Sequence, residues 1–161
     1  MRYLKVYEEF GEESIESICK RYDINNYNIN DDGSINVIDN VYLSTIRGLL
    51  KVPLKFRNVS GNFNCYGSNL TSLEGCPVSV GGKFDIGMNN LTSLEGCPVS
   101  VGGDFNCNDN HITSLKGCPA SIGGSFNCYV NKLTSLEGCP TNILGTFNCN
   151  TNKLKSLKGG S

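Results

Sequence analysis

Hydrophobic positions recur with a fixed period along most of the chain. Phenylalanines stand at one constant interval, at Phe63, Phe84, Phe105, Phe126 and Phe147. The same short motif follows four of them, F-N-C-x-x-N-x-L-T-S-L-E-G-C-P-x-x-V-G-G-x, with few departures. A fixed period of about 20 residues is typical of a solenoid, in which each coil buries its apolar face only against its neighbours. The pattern therefore predicts a solenoid of about five to six stacked coils.

Within one coil, the apolar residues alternate as they do in a short β-strand. Phe105 and Cys107 point inward, so the side chains of Asn106 and Asn108 are expected on the solvent face. Copies of this strand must pair in parallel, roughly 4.8 Å from coil to coil. The rest of each coil is too short and too rich in Gly, Pro and Ser for a regular helix. We therefore expect turns, extended pieces or a 3₁₀ turn on the convex side.

The same register continues upstream of the first phenylalanine of the row. Stepping back by one repeat from Leu70 and Val80 leads to Leu49 and Val59, which indicates a degenerate coil from about residue 41 to residue 62. Val41 is one residue out of step with Phe63, which predicts a small insertion near residues 46–48. The solenoid is thus expected to span 41–161, preceded by a separate N-terminal cap at 1–40.

The cap region shows a helix signal followed by a hairpin signal. From Ser14, apolar residues fall on one face at helical spacing, at Ile15, Ile18, Cys19 and Tyr22. Segments 27–30 and 34–37 then alternate around an Asp-Gly pair, which is typical of a β-hairpin. Because a solenoid needs a terminal cap over its open core, we interpret both elements as that cap.

The repeat resembles a known family. The run from Phe105 to Leu115, F-N-C-N-D-N-H-I-T-S-L, resembles the leucine-rich repeat pattern L-x-L-x-x-N-x-L-x-x-L, with Phe, Cys and Ile in leucine positions. The resemblance implies a right-handed solenoid in the α/β class, leaning mostly β, with short parallel strands and few or no convex helices. It also implies that one asparagine per coil bonds through its amide to the backbone of adjacent coils. Those asparagines are Asn89, Asn110, Asn131 and Asn152, and Ser68 departs from the pattern in the first full repeat.

A narrower resemblance concerns the origin of the chain. The variant with Gly-Cys-Pro and Val-Gly-Gly is similar to repeat proteins encoded by tailed bacteriophages, and the lead-in at 27–37 is similar as well. This resemblance implies a phage protein that acts in the cytoplasm of an infected bacterium against a host or defence factor. The cysteine usage agrees with a cytoplasmic location, because nine cysteines without a secretory signal are typical of a reducing compartment.

Composition and chemistry argue against several function classes. The net charge is −1 and no basic stripe is present, so we expect no nucleic-acid partner, and no long apolar run predicts a membrane span. We find no nucleophile–base pair and no phosphate loop, and we expect neither an enzyme nor a cofactor. The recurring cysteines, which Ile86 replaces in one repeat, are interpreted as core residues rather than disulfides or metal ligands. A calcium loop at 28–39 remains an alternative, although it has amides at Asn28 and Asn30 where carboxylates are preferred.

The residues that break the repeat are the candidates for function, because stacking already explains the repeated ones. Tyrosines stand among small amides on the exposed strand face, the middle of that face is acidic, and one rim carries basic side chains. Aromatic residues are common anchors of protein interfaces, so we predict a protein-binding face. Its candidate residues are Tyr66, Asp85, Asp104, Asn108, Asp109, His111, Tyr129, Lys132 and Asn150.

Other interpretations of the whole chain stay open. The sequence shows no C-terminal cap after Phe147, so a homodimer through that open edge is expected. A structural or assembly component of a virion is one alternative function. A secreted bacterial effector with leucine-rich repeats is another, although such effectors usually carry an LPxLP-type pattern and an attached catalytic domain.

Overall fold

The computed structural model describes residues 13–44, 46 and 48–155. In this part of the chain, a helix α1 at Ile15–Arg21 precedes a series of short β-strands. The strands are β1 Tyr27–Ile29, β2 Ile35–Val37, β3 Val41–Tyr42, β4 Phe56–Val59, β5 Phe63–Asn64, β6 Ser79–Val80, β7 Phe84–Asp85, β8 Ser100–Val101, β9 Phe105–Asn106, β10 Ser121–Ile122, β11 Phe126–Asn127, β12 Asn142–Ile143 and β13 Phe147–Asn148.

The coils stack into a mostly β solenoid of parallel strands, which confirms the predicted fold class. Each full coil contributes one strand to a seven-stranded sheet, ordered β1-β2-β4-β6-β8-β10-β12, and one to a six-stranded sheet, ordered β13-β11-β9-β7-β5-β3. Phe84 pairs in parallel with Phe63 on one side and with Phe105 on the other. The seven-stranded sheet is a finding that the sequence does not predict, since only turns or extended pieces were expected there.

A third side of each coil is also hydrogen-bonded to its neighbour. The backbone N–H of Asn90 donates to the carbonyl oxygen of Leu70 at 2.8 Å, and His111 donates to Leu91 at 2.8 Å. Each coil is therefore fixed to the next along three sides. The chain between the two sheets turns at paired glycines, where the backbones approach closely. A Cβ atom at Gly102 would lie 2.2 Å from the carbonyl oxygen of Gly81.

The interior is filled by the row of phenylalanines that the period predicts. Their ring centroids are 5.2 to 5.9 Å apart from Phe63 to Phe147, and Phe56 extends the row with an edge-on contact at 5.2 Å. Aromatic pairs at these separations add to the hydrophobic stabilisation of the core. Cys65 and Cys107 are fully buried beside the row, as expected for core residues. Burial raises the pKa of both thiols well above its ordinary value.

Buried asparagines join the coils, as the family resemblance implies. The Nδ2 group of Asn110 donates to the carbonyl oxygens of Ile86, Cys107 and Asn108, and its Oδ1 accepts from the N–H of Leu91 at 3.0 Å. Asn89, Asn131 and Asn152 form equivalent bonds. At the departure from the pattern, the hydroxyl of Ser68 donates to the carbonyl oxygen of Leu43 at 3.0 Å. We call these asparagines the amide ladder.

The N-terminal elements form as predicted. The hydroxyl of Ser14 caps α1 by accepting from the N–H of Ser17 at 3.2 Å, and Ile15, Ile18 and Cys19 are buried. Strands β1 and β2 pair as an antiparallel hairpin, and β2 then pairs in parallel with β4. The hairpin is thus continuous with the seven-stranded sheet.

The register confirms an extra residue in the first coil. Val41 pairs with Phe63, and this offset along the chain is longer by one residue than the offset between Val59 and its partner Val80. The extra residue therefore lies between Val41 and Val59, the stretch that contains the predicted insertion. At the other end, β12 and β13 are the outer strands of the two sheets in the described part of the chain. Residues 156–161 lie outside it, and self-association through this edge stays a prediction.

Candidate functional site

The outward side of the six-stranded sheet, with the turn that follows each of its strands, is the surface that carries the predicted binding residues. We call it the strand face. Tyr66 is 42% exposed and Tyr129 is half-buried. The other exposed members of the predicted set are Asp104, Asp109, His111, Lys132 and Asn150.

Two of the predicted residues are not exposed, and the expectation that they face solvent is wrong. Asp85 is only 5% exposed and Asn108 only 6%. One oxygen of Asp85 lies 2.8 Å from Nζ of Lys83, and the other accepts from the N–H of Gly87 at 3.1 Å. Asn108 directs its Oδ1 towards Gly87, where a Cβ atom would lie 2.8 Å away. Both side chains are thus engaged within the solenoid, although their backbone alternation points outward.

Most amides on this face belong to the stacking of the coils. Nδ2 of Asn127 donates to Oδ1 of Asn106 at 2.8 Å, and Asn106 donates in turn to Asp85 at 3.3 Å. Amides in this position are therefore held by one another from coil to coil. These amides therefore contribute to the stacking of the coils, and no partner is needed to explain them.

The column before the phenylalanines also links the coils, with one interruption. Oδ1 of Asn62 accepts from the N–H of Lys83 at 2.7 Å, and Oδ1 of Asp104 accepts from the N–H of Ser125 at 2.7 Å. Lys83 has no side-chain acceptor, so it cannot continue the series. Its ammonium group pairs with Asp85 instead. The repeat is therefore broken at Lys83 and Asp85, on either side of Phe84.

Tyr42 and Met88 are exposed on this face but missing from the predicted set. Tyr42 is 54% exposed and pairs with Asn64, so it lies on the strand face at its N-terminal end. Met88 is also 54% exposed and sits in the turn after β7. Together with Tyr66 they form what we call the aromatic patch. Both residues are recognisable in the sequence, because the alignment of Val41 with Phe63 puts Tyr42 in the column of Asn64, and Met88 is an apolar residue at a turn position.

The turn position of Met88 has a left-handed backbone in every full coil. Gly67 has a φ of 66°, and the equivalent residues Met88, Asp109, Val130 and Thr151 have φ between 53° and 57°. This region is unfavourable for residues other than glycine, most of all for β-branched ones. Side chains are therefore displayed at this rim at some cost in backbone energy.

The neighbouring rim carries the predicted basic groups. Lys132 and Lys153 are exposed in successive coils, following His111 in the same column. Nδ1 of His111 lies 3.0 Å from the carbonyl oxygen of its neighbour Asn110. The structure thus places the exposed carboxylates of Asp104 and Asp109 and the basic rim on one surface, whereas Asp85 is buried beside Lys83.

The other candidates for a site are a metal centre, a calcium loop and a membrane-spanning helix. Within the described ranges, no group of three or more His, Cys, Asp or Glu side chains converges on one point. In the 28–39 segment, Asp32 accepts from Ser34 and pairs with Lys55, while Asn30 donates to Ser34. Two side chains of the calcium-loop alternative, Asn30 and Asp32, are therefore already hydrogen-bonded to protein groups. No helix among the described residues is long and apolar enough to cross a membrane.

Comparison of the chain with protein-family models, with curated proteins and with solved structures finds no match.

Proposed function

We propose that this chain is a non-catalytic binding protein whose strand face engages a protein partner. The observation that carries the proposal is the aromatic patch of Tyr42, Tyr66 and Met88, which is exposed on a face otherwise built of interlocked amides. Exposed aromatic and methionine side chains are enriched in the energetically important centres of protein interfaces. Stacking accounts for the neighbouring amides and leaves this cluster unexplained.

The surroundings of the patch agree with a specific interface. Asp104 and Asp109 provide negative charge in the middle of the face, and Lys132 provides positive charge at the rim. Such an arrangement selects a partner with complementary charges and orients it on approach. The hydrogen-bonded parallel strands beneath hold the backbone that carries these groups, so little ordering of the backbone is needed on binding.

The resemblances named above support a narrower form of the proposal. The position-specific asparagines and the F-N-C motif favour a leucine-rich-repeat protein, and the Gly-Cys-Pro variant favours one encoded by a tailed bacteriophage. In that setting the partner is a host or defence protein in the cytoplasm of the infected bacterium.

Affinity capture from a bacterial lysate tests the proposal. The wild-type protein is compared with Tyr66→Ala and with Tyr129→Ala, and Val99→Ala on the opposite sheet serves as the matched control because Val99 is 69% exposed. We expect a captured protein that is lost with the tyrosine variants and kept with the control, at unchanged melting temperatures. Equal capture by all versions would refute binding through this face.

A further inference from the structure

A glycine interrupts the strand face at one point, and both neighbours close over it. A Cβ atom at Gly87 would lie 3.1 Å from Cδ2 of Tyr66 and 2.8 Å from Oδ1 of Asn108. The ring of Tyr66 therefore leans across to the next coil and rests above Gly87, while it keeps 42% of its surface exposed. A side chain at Gly87 would crowd both this ring and the amide of Asn108, so each would have to shift. The position of the Tyr66 ring thus depends on the absence of a side chain at Gly87 in the neighbouring coil.

The coils on both sides of Tyr66 carry an exposed aromatic or apolar residue, Tyr42 in the preceding coil and Met88 in the following one. Tyr42 pairs in parallel with Asn64, so its backbone lies one coil before Tyr66 and two residues short of it, roughly 8 Å away. Met88 follows Gly87 directly and is held outward by its left-handed backbone, at a φ of 54°. The aromatic patch therefore spans three successive coils, roughly 10 Å along the solenoid axis.

The unneutralised charge next to this patch is negative. Asp109 follows Asn108, whose amide meets Gly87, and Asp104 opens the strand of the same coil. Within residues 13–44, 46 and 48–155, neither carboxylate forms an ion pair, in contrast to Lys83, whose ammonium group is held by Asp85 at 2.8 Å. His111 and the basic rim lie beyond Asp109, farther from the ring.

We infer that the aromatic patch binds an arginine side chain of the partner, which lies against the ring of Tyr66 and directs its N–H groups to Asp109. The inference rests on the proposed function and names the chemistry of its partner. A guanidinium group is planar and weakly hydrated, so it stacks on an aromatic ring and still donates to a carboxylate. A lysine ammonium is more strongly hydrated and lacks the planar face. An apolar residue next to the arginine would pack on Tyr42 and Met88.

Three short peptides test the inference without knowledge of the partner. The probes are acetyl-Gly-Leu-Arg-Gly-amide and its counterparts with lysine and with norleucine in place of arginine. Binding to the full chain is followed by NMR of protein with labelled tyrosine rings. We expect shifts at Tyr66 and Tyr42 that saturate with the arginine peptide about three- to tenfold more tightly than with the lysine peptide. Tyr129 is expected to shift little.

Variants of the protein separate the contributions of ring and carboxylate. Gly87→Ala crowds the ring of Tyr66 and the amide of Asn108 and should reduce the preference for arginine, and Asp109→Asn should weaken binding of the arginine peptide about threefold or more. Glu137→Gln, on the other side of the solenoid, is the matched control for the loss of a carboxylate. It should leave the binding of all three peptides unchanged. Since the tyrosine spectrum reports the fold directly, a variant that fails to fold is recognised, and Tyr66→Leu then takes its place.

Two outcomes would overturn the inference. One is equal binding of the three peptides, and the other is a set of shifts spread over all tyrosines and unaffected by Asp109→Asn. If either occurs while capture from lysate still depends on Tyr66, the arginine assignment is wrong and the proposed binding function stands. If capture is also independent of Tyr66, both are refuted.

Discussion

Removal of one rung of the amide ladder tests how the coils are held together. Asn89 is 6% exposed, and its Oδ1 accepts from two backbone N–H groups of the preceding coil, those of Ser68 at 3.1 Å and Leu70 at 2.8 Å. Its Nδ2 donates to three carbonyl oxygens. Asn89→Ala leaves the two N–H groups without this acceptor in the interior.

The expected loss of stability follows from those two groups. An unsatisfied buried donor costs about 1–3 kcal/mol, so Asn89→Ala should lower the free energy of unfolding by about 2–6 kcal/mol. The adjacent Asn90 offers a matched control, since it is the same residue type but exposed. Asn90→Ala should change the free energy of unfolding by about 0.5 kcal/mol or less.

Urea denaturation followed by circular dichroism measures both variants against the wild type. The two alanine substitutions, at consecutive positions of the chain, are expected to differ by several-fold in the loss of free energy of unfolding. If Asn89→Ala and Asn90→Ala unfold at the same urea concentration, the amides do not hold the coils together as described.

Three further predictions concern the backbone and pH. Gly102→Ala places a Cβ atom 2.2 Å from the carbonyl oxygen of the preceding coil, so thermal melting should show a loss of roughly 3 kcal/mol or more, and an unchanged melting temperature would contradict the close approach. Val130→Asn relieves a β-branched residue at a φ of 53°, so the same assay should show a gain of about 0.5–1 kcal/mol; a loss would mean that the turn is not strained. Hydrogen bonds from Lys55 and Ser34 lower the pKa of Asp32 from its ordinary 3.8, so its contribution to stability is present above about pH 4 and is lost as the pH falls towards the lower folded value. As the pH is lowered through this range, the free energy of unfolding should therefore fall more steeply in the wild type than in Asp32→Asn, and parallel curves would refute this role.

Much of the fold is readable from the sequence because stacking imposes the same demands on every coil. The constant spacing of the phenylalanines specifies parallel pairing and a continuous core, and both are observed. The seven-stranded sheet was not predicted, because segments such as Ser79–Val80 run directly into a glycine pair and lack the F-x-C alternation of the predicted strands. Strand pairing at that point arises from the stacking of whole coils, which a local pattern does not reveal.

The candidate site is less readable, since exposure depends on contacts between coils. Asp85 alternates outward in the sequence, yet Lys83 and Asn106 enclose it. Tyr42 was not included in the predicted set, although the alignment of Val41 with Phe63 already places it in the column of Asn64. Tyr66 was recognised as exposed, but its position over Gly87 depends on a missing side chain in another coil.

The most direct test of the stacked solenoid is a map of nuclear Overhauser contacts among selectively labelled phenylalanine rings. Among the rings from Phe63 to Phe147, the account predicts contacts only between successive members of the row, at centroid separations of 5.2 to 5.9 Å. Contacts that skip a coil, such as one between Phe63 and Phe105, or an absence of contacts between successive rings, would contradict it.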